Sequence, residues 1–466
     1  MKRMLSLALA AALLLAGCAG GAGKPDGKEP EKMSYTLAEP VYPEFPKQPV
    51  MPQEGPEGGW EAYMEAYDKY MDALTALRGE TPELTEAHWK ALNAFAARST
   101  PLVLPEGTGK NAVYSPLSLW SALSMLAQCA GGDSRRQVLD AIGSDSVDLL
   151  QEQVSQIWRS LYTDDGQSAL ILANSIWLNS GMEGAYVQDT LDALAQKYYA
   201  GAYAVPMGES AADRAVTDWV KKQTNGLIGG DQPVVQSQAD ILALLASSLY
   251  YKAGWRDKFQ PEGTKEDVFT DAAGNETKVD FMHKTVDDDF IRRDGYQAAR
   301  LVTSLGEMVF VLPDEGVTPE SLLEDPEFLS GLKFVDPRWE HADPTTAAHW
   351  GEIQWSVPKF DVNSNLDLLD TLKNLGVTGL LDPDRSDLSN LTDIPAYLSQ
   401  ALQLARVKVD EEGVEAAAVT ILMMDAGSAM PPEDSEICVM DLDRPFLFVV
   451  RSQDLPLFVG VVNQVG

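Results

Sequence analysis

Cysteine, histidine and positive charge are scarce in this chain. Its three Cys, Cys18, Cys129 and Cys438, are too few for a disulfide scaffold and form no CxxC or Cys/His metal spacing. Its four His, His88, His283, His341 and His349, include no HExxH or other close ligand pair. Only 36 Lys and Arg stand against 70 Asp and Glu, and the resulting net charge of -34 repels phosphate backbones, so no nucleic acid is expected as a partner. With 45% hydrophobic and 23% charged residues the composition is globular, which excludes a wholly disordered, collagen-like or multi-span membrane protein.

The N-terminus is organised as a targeting segment. Lys2 and Arg3 precede an apolar run from Met4 to Leu15 that is too short to span a bilayer. Leu15-Ala16-Gly17-Cys18 resembles a bacterial lipobox, in which the Cys thiol accepts a diacylglycerol and becomes the mature N-terminus. Lipidation at Cys18 would anchor the protein to a membrane on the outer face of the cell envelope. The alternative is an ordinary secreted protein with a chance Cys. From Lys24 to Gly59 follow Pro25, Pro30, Pro40, Pro43, Pro46, Pro49, Pro52 and Pro56, a composition that favours extended polyproline conformation and reads as a tether. Tyr35, Tyr42 and Phe45 within it are able to dock on a folded domain.

Trp60, Tyr63, Met64, Tyr67, Tyr70, Met71 and Leu74 recur at helical spacing, which predicts an amphipathic helix whose aromatic stripe is core. A second helix is expected near Thr85 to Ala97, then a loop from Pro101 to Asn111. Further helical patterns cover Pro116 to Cys129, Gln188 to Ala200, Asp213 to Asn225 and Asn365 to Leu375. Strand patterns cover Leu170 to Leu178, Ile241 to Tyr251, Met308 to Leu312, Ile353 to Phe360, Leu402 to Val409, Phe446 to Val450 and Leu457 to Val462. Their interleaved order points to an α+β fold with large sheets.

No enzyme chemistry stands out. Gly107-Thr108-Gly109-Lys110 looks like part of a phosphate loop, but Leu104 stands where its first Gly belongs and Asn111 where Ser or Thr belongs, so it reads as a turn. There is no GxSxG elbow or GxGxxG fingerprint. Cys129 reads as an inert core thiol, and the carboxylates are too abundant for any pair to signal acid/base work. The chain is therefore expected to have no catalytic residues, metal or cofactor.

One segment near the C-terminus is unusual: Glu411-Glu412-Gly413-Val414-Glu415-Ala416-Ala417-Ala418-Val419-Thr420. It resembles the hinge of the reactive-centre loop in serpins, the large family of metastable serine protease inhibitors. Other stretches agree in order: Asn111 to Ser118, Cys129 to Ser134, Trp219 with Thr224-Asn225-Gly226, Leu249 to Trp255, Val357-Pro358-Lys359-Phe360, Asp443 to Phe448 and Phe458 to Asn463. The resemblance runs from about residue 85 to the end. It divides the chain into a signal peptide (1–17), a lipidated Cys and Pro-rich tether (18–59), an N-terminal helical extension (60–84) and one serpin domain (85–466).

The resemblance implies three β-sheets within a shell of helices, with an exposed reactive-centre loop, acting as a monomer on a target serine protease. The protease attacks the loop as a substrate and forms an acyl-enzyme; the severed loop then inserts as a new strand of the main sheet and distorts the protease. In the family register Val414, Ala416, Ala418, Thr420, Leu422 and Met424 face the core and Glu415 faces solvent, so no inward position is charged. Val414 stands where the family usually has a small hydroxyl residue.

Around the point where the sheet opens, Ser115 and Ser118 keep the family's hydroxyls, and Trp255 closes the Leu249 to Trp255 stretch. Ser247 and Gln403 replace an Asn and a His that hydrogen-bond each other in relatives, and a Gln-to-hydroxyl bond is expected in their place.

Specificity is carried by the loop tip, Met424-Asp425-Ala426-Gly427-Ser428-Ala429-Met430. Counting about fifteen residues on from Gly413 places the scissile bond at Gly427-Ser428, and counting back from Pro431 shifts it by one. No Lys, Arg, Phe, Tyr or Trp lies between Lys408 and Arg444, and small residues around the bond fit narrow pockets, those of elastase-like or subtilisin-like enzymes. A non-inhibitory serpin acting as a cell-surface binding module is the alternative.

Overall fold

The computed structural model describes residues 35–50, 59–79, 83–104, 109–334, 348–414 and 436–465. Its helices are α1 (Gly59–Gly79), α2 (Glu86–Val103), α3 (Pro116–Cys129), α4 (Gly132–Ile142), α5 (Val147–Leu161), α6 (Gln188–Lys197), α7 (Ser210–Gln223), α8 (Phe328–Gly331) and α9 (Leu369–Asn374). The strands in the first half are β1 (Thr36–Ala38), β2 (Ala112–Tyr114), β3 (Thr163–Asp164), β4 (Ala169–Asn179), β5 (Ala200–Val205), β6 (Ala243–Gly254), β7 (Lys265–Thr270) and β8 (Glu276–Arg293). Those that follow are β9 (Tyr296–Thr303), β10 (Gly306–Pro313), β11 (Ala348–Pro358), β12 (Phe360–Asp367), β13 (Leu402–Asp410), β14 (Gly413–Val414), β15 (Glu436–Asp441), β16 (Phe446–Ser452) and β17 (Leu455–Val462).

The strands form two ladders. One runs β1-β5-β4-β6-β14-β13-β12, with β3 on β4. The other runs β15-β11-β8-β9-β10-β16-β17-β2, with β7 on β8. Three sheets reduce to two ladders because β8, 18 residues long, pairs β7 and β11 along most of its length and β9 at its end, so two sheets share strands.

Sequence explains the placement. Strand β4 reads ALILANSIWLN, apolar on both faces, and it is buried almost throughout, as a central strand requires. Helix α3 starts with Pro116 at its first turn, where the missing N–H costs nothing, and Ser115 caps it by accepting from the Ser118 N–H. Apolar on nearly every side, α3 is buried behind the first sheet.

Three expectations are corrected. Helix α2 continues through Pro101 to Val103; the proline falls in the last turn, where only one ladder bond is lost, and the Leu104 N–H still bonds Thr100 O. Between Asn365 and Leu375 the chain is first strand and only then helix, because β12 pairs β13 down to Asp367. The aromatic stripe of α1 is core only at Tyr70; Trp60, Met64 and Met71 are exposed, since only the C-terminal half of the helix meets the body.

Candidate functional site

Strands β6 and β13 are not hydrogen-bonded to each other. Two residues of β14 join them: Gly413 pairs Gly254 and Val414 pairs Ala253 on one side, while Asp410 pairs Gly413 and Val409 pairs Val414 on the other. Both pairings are antiparallel, so β6 and β13 run parallel with room between them for one antiparallel strand. Below Val414 a mostly apolar cavity of about 140 Å³ opens between them. Leu244, Leu245 and Leu404 line its sides, Leu119 and Leu123 of α3 its back, and Val216 and Val220 of α7 its front. The buried hydroxyls of Ser247 and Ser248 have no hydrogen-bond partner there.

The hinge is a tight turn held from several sides. The Trp255 indole N–H donates to Asp410 O at 2.9 Å and the Trp255 amide to Glu412 O at 3.0 Å. Lys258 pairs with Glu412, and Lys359 pairs with Glu411 at 3.2 Å. Burial acts to raise the Glu411 carboxyl, but its own amide, Thr264 and Lys359 outweigh burial and hold it below its ordinary value. Glycine is required at 413, because a Cβ there would sit 2.3 Å from Ala253 O. Val414 is 2% exposed, so the first inward position of the hinge register is already in the core.

At the other end of β13 the Gln403 side chain makes two bonds to one backbone unit: its Oε1 accepts from the Ser115 N–H at 2.7 Å and its Nε2 donates to Ser115 O at 2.9 Å. The expected Gln403–Ser247 bond is therefore absent. The slot separates the strands that carry the two residues, and the backbone of Ser115 satisfies both ends of the amide. Ser115 and Ser118 join their hydroxyls at 3.1 Å. Trp255 does not belong to this group; it sits at the hinge turn, at the far end of the sheet. Sequence reasoning missed Asn174, which accepts from Ser121 Oγ at 3.2 Å and donates to Tyr198 O at 2.9 Å behind the same sheet. Lys258 carried no sequence signal, whereas Lys359 lay within the Val357 to Phe360 stretch.

The remaining predicted site residues, Glu415 to Thr420, Met424 to Met430 with Gly427-Ser428, and Cys18, lie outside the described residues. Among the described residues no group of His, Cys, Asp and Glu has the arrangement of a metal site. Ser356 stands 3.3 Å from His283 Nε2, but Asp441 bonds the serine rather than the imidazole, whose Nδ1 faces Gly263 O. This is a cross-strand polar ladder, not a nucleophile, base and acid in series. Burial pushes the Cys129 thiol up to about 12, which removes it as a nucleophile at neutral pH.

A slot for one strand, with a hinge entering its mouth, is the arrangement that the serpin resemblance implied. The family profile for serpins, described as serine protease inhibitor, matches residues 90–465. This chain is a serpin. Serpin-Z2B of wheat, Triticum aestivum, is 31% identical over 395 residues, covering 79% of this chain and 94% of that protein. Alaserpin of Manduca sexta is 27% identical over 404 residues, covering 84% and 97%. Among solved structures the thermophilic serpin tengpin in its native state matches with a TM-score of 0.71 at 25% identity, covering 83% of this chain and 96% of that one. The latent state of tengpin scores 0.67. Serpins are in general protease inhibitors rather than catalysts.

Proposed function

We propose that this serpin is a suicide-type inhibitor of extracellular serine proteases with elastase-like or subtilisin-like pockets. It acts from the outer face of the bacterial cell envelope, anchored there by a lipid on Cys18. The protease serine attacks the Gly427 carbonyl, the Gly427–Ser428 bond breaks, and the new Ser428 amine leaves with a proton, so that Gly427 is esterified to the protease. The freed strand continues the β14 pairing down the slot, with Ala416, Ala418, Thr420, Leu422 and Met424 entering the core on the same side as Val414. From Val414 to Gly427, about fourteen residues at 3.3 Å each extend some 45 Å, enough to carry the ester past the far end of β6 before water attacks it.

The observation that carries this reading is the pairing of Gly413 and Val414 between β6 and β13 above an unfilled apolar slot. The first rung of the inserted strand exists in the intact protein, and propagation from it adds ladder bonds without a new closure cost. Incubation with an elastase-like protease should give a covalent complex that survives denaturation and a gel. Clean loop cleavage with full protease activity remaining would instead favour the binding-module reading.

A further inference from the structure

Residues 35–50 are a docked strap rather than a loose stalk. Pro40, Pro43, Pro46 and Pro49 fall at every third position, the repeat of a polyproline II helix. Burial keeps the same period: Tyr42, Phe45 and Gln48 turn toward the domain while Val41, Glu44, Lys47 and Val50 are exposed. Tyr42 lies 5.0 Å from the Trp158 ring and 5.6 Å from that of Tyr162, and Phe45 lies 6.0 Å from Tyr162. The Gln48 amide donates to Asp165 O at 2.9 Å, and Gln167 Nε2 donates to the carbonyls of Gln48 and Pro49.

The strap has a direction along the main sheet. At its start, the Ala204 N–H donates to Tyr35 O at 2.8 Å and Ala38 pairs Ala202 of β5. Val205 of β5 lies beside Asn179 of β4, and the neighbouring Leu178 pairs Ala243, the first residue of β6. At its end, Gln48 reaches Asp165, just before Ala169, which pairs Lys252 near the hinge partner Gly254. The strap thus climbs from the end of the sheet remote from the hinge to the hinge end, a span set by β6 of about 36 Å.

We propose that the strap fixes the attitude of the anchored protein: a membrane holding Cys18 is attached to the end of the sheet opposite the reactive loop, which therefore faces outward toward proteases in solution. The inference rests on the lipid-anchor reading. Repulsion between a chain of net charge -34 and anionic headgroups keeps the domain from lying flat. An inserted loop delivers its protease to the membrane-facing end, and residues 19–34, spanning at most about 60 Å when fully extended, leave room for a protease domain about 45 Å across.

The test uses the full lipidated chain on vesicles of phosphatidylglycerol and phosphatidylethanolamine with acceptor-labelled headgroups. Cys129 and Cys438 are buried and Cys18 carries the lipid, so a single new exposed Cys takes the donor dye. Gln238→Cys probes the remote end, where Asn179 bonds the neighbouring Ala239 O, and Glu262→Cys probes the hinge end, where nearby Thr264 bonds Glu411. With about 36 Å between the two levels, energy transfer should be several-fold stronger from position 238. Freeing the strap with Tyr42→Ala and Phe45→Ala should shrink that difference. Equal transfer from the two sites, or stronger transfer from 262, on protein that floats with the vesicles overturns the attitude and leaves the anchor standing. Protein that does not float overturns the anchor reading and this inference with it.

Discussion

Val414 lies directly opposite Val409 in an antiparallel pair, and both side chains are buried. The intact protein therefore already spends the first inward residue of its loop on the sheet. On the proposed mechanism, insertion then needs only propagation down a slot lined mostly by apolar side chains.

That pairing makes Val414→Arg a sharp variant. Burying an unpaired guanidinium costs several kcal/mol, so the rung should leave the sheet and the loop should no longer zip. Attack at Gly427–Ser428 needs nothing from position 414, and its rate should barely change. On a denaturing gel the variant should run as cleaved inhibitor with active protease, whereas the parent forms complex. Unchanged stoichiometry would mean that the hinge register is wrong.

Gln403→Leu removes both bonds to Ser115 and leaves the buried Ser115 N–H unpaired, while Ser115 O keeps its bond from the Leu119 N–H at 3.2 Å. That orphan costs about 1–3 kcal/mol, so the variant should lose about that much in urea unfolding at unchanged m-value. Ser247→Ala should cost nothing measurable or stabilise slightly, since its hydroxyl has no partner to lose.

Asp288 is a carboxyl whose burial, followed by its bond to Asp289, raises it well above the ordinary range; Arg300 only partly offsets this. A raised folded value means the protein gains stability while Asp288 holds its proton and loses that gain as pH climbs from about 4 toward neutrality. Asp288→Asn should flatten this decline and leave the variant more stable than the parent at pH 8. Parallel urea midpoints for the two proteins from pH 5 to pH 8 would contradict it.

Much of the architecture was legible because periodicity was clean. Pro116 to Cys129 is the α3 helix to the residue, and the apolar runs at Leu170 to Leu178 and Leu457 to Val462 are buried strands. Strand β8 was hidden because carboxylates fall at exposed, half-buried and buried positions alike in Asp287-Asp288-Asp289, which masks alternation. The hinge could be found by motif, since Gly413 is dictated by the close approach of Ala253 O. The Gln403–Ser115 bond could not, because a side-chain amide meets a backbone unit and no pair of side-chain types signals that. The strap was visible only as prolines with Tyr42 and Phe45 between them; its aromatic groove comes from α5 and Tyr199, far along the chain.

Melting of the intact and loop-nicked protein tests the central claim, that the slot between β6 and β13 takes the loop as a strand. The loop is cut near Gly427 with a catalytic amount of a non-target protease, the fragments are verified by mass, and the two forms are heated side by side. Burying Ala416, Ala418, Thr420, Leu422 and Met424 is worth on the order of 10 kcal/mol, which at about 2 °C per kcal/mol for a protein of this size raises the midpoint by some 20 °C. An unchanged or lower midpoint after complete nicking would contradict the account.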